Sequence, residues 1–144
     1  MIDVLFLCVR NASRSQIAEA YLNRLGAGRF KAESAGLEPA ALNPFVVRAL
    51  AEDGIDIAGK PTRDVYKLYR EGRRYRYVIA VCDSASAERC PTFPGVAERL
   101  HWPFPDPSKF QGSDEEIMAQ VREVRDAIKD TVRSFVQGYA RKPD

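Results

Sequence analysis

The chain has 144 residues, 45% of them hydrophobic and 29% charged, with a formal net charge of +2. That is the make-up of one compact domain with a single core, and it excludes the strong polarisation of a nucleic-acid or membrane-surface binder. No apolar stretch is long enough to span a bilayer, and Asp3 interrupts the start where a signal peptide would carry its apolar run.

The first element is a buried strand over residues 3–8, from the run Val4-Leu5-Phe6-Leu7 ending on Cys8. The segment Cys8-Val9-Arg10-Asn11-Ala12-Ser13-Arg14-Ser15 follows, and a helical pattern then runs over 14–26, with Ile17, Ala18, Tyr21, Leu22 and Leu25 closed by Gly26. A thiol therefore stands at a strand-to-helix turn, where backbone N–H groups and a helix N-terminus converge. Such a turn suits a tetrahedral oxyanion and favours a nucleophilic thiolate. The residues expected to line it are Val9, Arg10, Asn11, Ala12, Ser13 and Arg14. Arg14 would grip two oxygens with its planar fork, and Ser15 would hydrogen-bond the Cys8 sulfur. Asn11 sits mid-loop, where asparagine tolerates a positive φ, and Arg10 is expected to face solvent.

Further along, residues 30–35 predict a polar-alternating strand ended by Gly36. Residues 43–53 predict a helix with Asn43 as its cap and Pro44 in its first turn. Thr62 to Glu71 predicts a short helix, and the cluster Arg70, Arg73, Arg74 and Arg76 reads as a solvated helix end. Tyr77-Val78-Ile79-Ala80-Val81 is β-prone and runs into Cys82, and residues 99–102 predict a short fourth strand. The polar, small-residue stretch between Cys82 and Cys90 reads as a mobile loop, with flanks too polar for buried thiols. Its spacing matches no common zinc motif, and His101 adds little to one, so no metal site is expected. Asp106, bracketed by Pro105 and Pro107, is a carboxyl group in a rigid turn, suited to protonating a leaving oxygen. Last comes a long helix, opened by a Ser113/Glu116 capping box and carrying Ile117, Val121, Val124, Ile128, Val132 and Phe135 on one face. The alternation predicts a single α/β domain over 1–144 with a four-stranded, mostly parallel sheet flanked by helices. Cys8 and Cys82 would then share the edge formed by strand C-termini.

Taken together, Cys8-x5-Arg14-Ser15, Gln16-Ile17-Ala18-Glu19-Ala20, Ser34-Ala35-Gly36, the pair Cys82 and Cys90, and His101-Trp102 ahead of Asp106-Pro107 resemble the thioredoxin-coupled arsenate reductases of the low-molecular-weight tyrosine phosphatase fold. The resemblance implies that Cys8 attacks arsenate and Asp106 protonates the departing oxygen. Cys82 then attacks Cys8, Cys90 attacks Cys82, and thioredoxin reduces the resulting disulfide. It implies no metal or organic redox cofactor, although some members hold a potassium ion at positions that Asn11, Glu19, Ser34 and Asp64 resemble. The near-neutral charge and the lack of a spanning stretch or signal peptide lead to the expectation of a cytoplasmic protein without nucleic-acid or membrane partners, and a monomer is expected. Ser13 stands where several relatives have a further cysteine, and the Cys82–Cys90 spacer is one residue longer than in some of them. The alternative is a phosphatase hydrolysing phosphotyrosine or small phosphoesters through Cys8, although Ser108 and Lys109 replace the tyrosine common after Asp-Pro in phosphatases of this fold.

Overall fold

The strand Ile2–Cys8 (β1) is buried from Val4 onward, as expected of a strand covered on both faces. It pairs with Phe30–Gly36 (β2) on one side and Tyr77–Ala80 (β3) on the other, and β3 pairs with Glu98–His101 (β4). The computed structural model, which describes residues 1–95 and 98–140, thus holds a four-stranded sheet of order β2-β1-β3-β4 with every neighbouring pair parallel. The register sets Cys8 beside Gly36 and Leu7 beside Ala80, so β1 and β3 end together.

Side-chain alternation along β1 divides the interior in two. Val4, Phe6 and Cys8 join one core with Ile17, Tyr21, Val46, Leu50, Cys82 and the apolar face of the last helix. Leu5 and Leu7 join another with Val65, Leu68, Tyr75, Val78, Cys90 and Phe93. The single core expected from the composition is therefore two cores, one on each face of the sheet.

The helices are Arg14–Leu25 (α1), Pro44–Glu52 (α2), Val65–Arg70 (α3), Ser84–Glu88 (α4) and Asp114–Ala140 (α5). Asn43 caps α2, its side chain accepting from the Phe45 N–H at 2.9 Å. The capping box of α5 closes in both directions, Ser113 N–H to Glu116 at 3.2 Å and Glu116 N–H to Ser113 Oγ at 3.2 Å. The α5 face then buries Met118, Val121, Val124, Ile128 and Val132. Near its end Phe135 packs on Phe30, Tyr77 and Trp102 at 5.5, 5.3 and 5.5 Å between ring centroids.

Three expectations are corrected. The helix expected over 62–71 begins only at Val65, because the Asp64 side chain caps it by accepting from Tyr66 N–H at 2.8 Å. Before that cap the chain is extended, with Arg63 accepting from Gly36 N–H and Asp64 bridged to Gly36. The stretch expected as a mobile loop after Cys82 contains α4, whose cap is Asp83 accepting from Ser86 N–H at 2.8 Å. Residues 96, 97 and 141–144 of the expected domain lie outside the described residues. Both thiols flanking α4 are buried, Cys82 at 0% and Cys90 at 7% exposure, because each joins a core despite its polar sequence neighbours. No described helix is long and apolar enough to cross a membrane.

Candidate active site

The turn between β1 and α1 is held from outside by its carbonyls. Cys8, Val9, Arg10 and Ala12 accept from the N–H groups of Leu37, Glu38, Ala40 and Asn43 at 3.3, 2.8, 3.0 and 3.0 Å. In a trans peptide the N–H points opposite to the C=O. The N–H groups of Val9, Arg10, Asn11 and Ser13 are thereby turned away from the 37–43 segment and toward the inside of the turn. Asn11 provides the bend, with φ of 55°, so the turn is a concave nest of donors. Its N–H reaches Cys8 Sγ at 3.2 Å. Gly36 makes the close approach possible, since a Cβ there would stand 2.7 Å from Val9 O and 2.8 Å from Asn11 N.

Ser15 Oγ lies 2.9 Å from Cys8 Sγ and accepts from Asn11 Nδ2 at 2.7 Å, which leaves the hydroxyl proton free to point at the sulfur. Arg14 is 6% exposed, donates from one terminal nitrogen to the Phe104 carbonyl at 3.3 Å, and stands 3.6 Å from Asp106 with the other. Its Nε is buried without a partner among the described residues. A buried donor of this kind is left able to bond an added acceptor such as an oxyanion. Asp106 is fixed by its other oxygen, which accepts from the N–H and Oγ of Ser108 at 3.0 and 2.8 Å as the cap of the 3-10 turn Pro107–Lys109. A cavity of about 580 Å³ in front of the turn is lined by Arg10, Arg14, Asp83, Phe104, Asp106 and Lys109. Arg10 is exposed, as expected, and lines both this cavity and a second hollow of about 460 Å³ beside Leu42, Phe45 and Phe110.

The structure brings Cys82 into the same core as Cys8, two residues past the paired end of β3, which stops at Ala80 rather than running into Cys82, while Cys90 lies in the opposite core. All three thiols are free. Burial, and then the Cys8 sulfur, push the Cys82 thiol up to about 11, with Arg14 pulling the other way. Burial likewise raises Cys90, against the pull of Arg99.

The four positions resembling potassium ligands do not fit a monovalent cation. Lys60 places its ammonium on Glu19, which also accepts from Ser34 Oγ at 3.0 Å and stands 3.5 Å from Arg63. Asn11 Oδ1 already accepts from Gln16 Nε2 at 3.1 Å and Arg63 N–H at 2.9 Å, and Asp64 is spent on its cap. Burial and the neighbouring Arg63 pull Lys60 down to about 8.

Sequence reasoning did not find the 37–43 segment, the Phe104 carbonyl, or Lys60. Only Gly36 carried a signal, as a glycine at a strand end.

A family model described as low molecular weight phosphotyrosine protein phosphatase matches residues 3–143. An arsenate reductase of Bacillus subtilis (strain 168) is 37% identical over 134 residues, covering 93% of this chain and 94% of the relative. Among solved structures, an arsenate reductase in the phosphate-binding state superposes with a TM-score of 0.73 at 27% identity, over 96% of this chain and 98% of that one. A thioredoxin-dependent arsenate reductase of Corynebacterium glutamicum superposes with a TM-score of 0.71 at 27% identity, over 97% of this chain and 62% of that one.

Proposed function

The chain belongs to the low molecular weight phosphotyrosine protein phosphatase family, and within it we propose an arsenate reductase that uses three cysteines and thioredoxin. The observation that carries the reading is the pair of buried free thiols, Cys8 and Cys82, in one core at the common end of β1 and β3 beside Arg14. A phosphatase needs only the first of them.

Arsenate binds in the nest, its oxygens taking the inward N–H groups and the Arg14 fork. The Cys8 thiolate attacks arsenic, and Asp106 gives its proton to the departing oxygen, which leaves as water. Cys82 then attacks the Cys8 sulfur. The S–As electron pair passes to arsenic, As(V) becomes As(III), and two thiols become one disulfide, so two electrons balance. Cys90 attacks Cys82, freeing the Cys8 thiolate, and thioredoxin reduces the Cys82–Cys90 bond. Val9, Arg10, Asn11, Ala12 and Ser13 act through their backbone, and Ser15 steadies the sulfur. No metal, potassium included, takes part. A relay of free thiols requires a reducing compartment, which favours the cytoplasm, and the single cycle needs one copy of the chain.

Hydrolysis of aryl phosphates is the second reading, favoured by the self-sufficiency of Cys8, Arg14 and Asp106. The test is arsenate-dependent NADPH consumption with thioredoxin and its reductase, for wild type and for Cys8→Ser, Cys82→Ser and Cys90→Ser. Turnover in wild type and its loss in all three variants supports the relay. Phosphate-ester hydrolysis without arsenate turnover in wild type overturns it.

A further inference from the structure

Cys82 stands two residues past the paired end of β3. The last ladder bonds around it are Val81 N–H to Leu7 O at 2.8 Å and Trp102 N–H to Ala80 O at 2.8 Å. Its own carbonyl, at the root of α4, is met by a side chain: His101 Nε2 lies 2.5 Å from Cys82 O. A carbonyl only accepts, so Nε2 carries the proton. The imidazole carries the β3–β4 contact two residues beyond the last paired residue, Ala80.

The proposed relay asks two things of this place. The Cys82 sulfur must reach Cys8 and afterwards Cys90, which lies eight residues on, across α4 and in the opposite core. The five residues of α4 alone rise roughly 7.5 Å, and the two thiols sit in cores on opposite faces of the sheet, whereas a disulfide needs Cα atoms about 4–7 Å apart. α4 therefore has to unwind, and it is five residues long, with one side-chain cap at Asp83. A cavity of about 490 Å³ lies beside it, lined by Leu7, Ala87, Cys90, Arg99 and His101, and gives the moving segment room. If the root of α4 moved with its body, Cys82 would lose its aim at Cys8.

We propose that His101 is a positioning residue for Cys82, holding the carbonyl at the root of α4 so that the sulfur keeps its place beside Cys8 while the helix beyond gives way. The inference rests on the three-cysteine reading. It predicts that His101 governs the Cys82 thiol and leaves the Cys8 turn alone, since no hydrogen bond joins His101 to the described residues of that turn.

The test compares His101→Ala and His101→Gln, the latter keeping an N–H donor, with wild type in two measurements. One is the alkylation rate of each thiol of the reduced protein by iodoacetamide, read by mass spectrometry. Alanine should speed Cys82 at least fivefold, leave Cys8 within twofold, and glutamine should return Cys82 toward wild type. The other is the rate of Cys8–Cys82 disulfide formation after adding arsenate, which should fall about tenfold in the alanine variant and recover in the glutamine one. Unchanged Cys82 rates, or Cys8 and Cys82 rising together, overturn the proposal. Absence of that disulfide in wild type overturns the relay itself, while the alkylation pattern still decides whether His101 holds Cys82.

Discussion

At the scale of single residues, burial pushes both partner thiols, Cys82 and Cys90, upward. Cys82 is sheltered and its thiol is pushed up to about 11, so at neutral pH it rests protonated beside the nucleophile rather than repelling it. Below its pKa a thiol gains thiolate tenfold per pH unit. Disulfide formation between Cys8 and Cys82 should therefore accelerate steeply from pH 7 to pH 9, and rapid-quench measurement of that step should show it. A flat profile would mean that Cys82 is deprotonated by a neighbour on attack. The sign for stability is opposite. The folded chain holds this proton more tightly than the unfolded chain, so the stabilisation present below about 9 is lost as pH rises toward 11. Lys60 carries a different consequence. It is the ammonium on a carboxylate with 5% exposure, and removing it leaves Glu19 with Ser34 and a more distant Arg63. Lys60→Met should cost about 3 kcal/mol in urea unfolding. Its melting temperature should rise in potassium over sodium, whereas the wild type, with its acceptors already taken, should show no such difference.

At the scale of elements, the oxyanion turn is shaped as much by what lies behind it as by its own residues. β2 delivers Gly36 against the turn, and the chain after it supplies the four N–H groups that hold the turn's carbonyls outward. A methyl group at Gly36 would meet three backbone atoms of the turn, from Val9, Arg10 and Asn11, with no flexible side chain to yield. Gly36→Ala should thus lower turnover about a hundredfold through misplaced donors, with a far smaller change in the secondary structure seen by circular dichroism. A wild-type rate in that variant would show that the turn adapts. Cys8, Arg14, Asp106 and both further cysteines of the candidate site were legible as positions in the sequence, because each sits at an element boundary marked by its own pattern. The parallel sheet was legible for the same reason, in strands alternating with amphipathic helices. α4 was not, since Ser84-Ala85-Ser86-Ala87-Glu88 has no apolar periodicity and depends on one cap. The depth of Cys82 and Cys90 was hidden as well, because Phe93 and Tyr75 cover Cys90 from positions that no local pattern connects to it. Lys60 on Glu19 joins residues 41 apart, a pairing that only the folded chain reveals.

At the scale of the whole molecule, α5 is the brace that fixes α1 and α2 on one face of the sheet, and its grip has an apolar and a charged part. The apolar part runs from Met118 to Val132. The charged part lies along its edge with α2. Glu52 takes Arg122 through bonds of 2.9 and 2.7 Å and Arg125 through one of 3.0 Å. Asp53 takes Lys129 and the Tyr21 hydroxyl, 2.9 and 2.8 Å away. Hydrogen bonds from Arg122 hold the Glu52 carboxyl down at about 2, and those from Lys129 and Tyr21 lower Asp53. A carboxylate held down in the folded chain stabilises it above the unfolded pKa, and that contribution fades as pH falls toward the folded one. The brace should therefore loosen between about pH 4.5 and pH 2, and more readily in high salt because these charges are exposed. Urea midpoints at pH 5 and pH 3 provide the measurement: the wild-type midpoint should drop between them, and Glu52→Gln should show a smaller drop. The nest around Cys8 takes no contact from Glu52, so the same substitution should leave turnover at pH 7 within twofold. Loss of activity in step with stability would mean instead that the brace sets the geometry of the turn, by way of the first residues of α1.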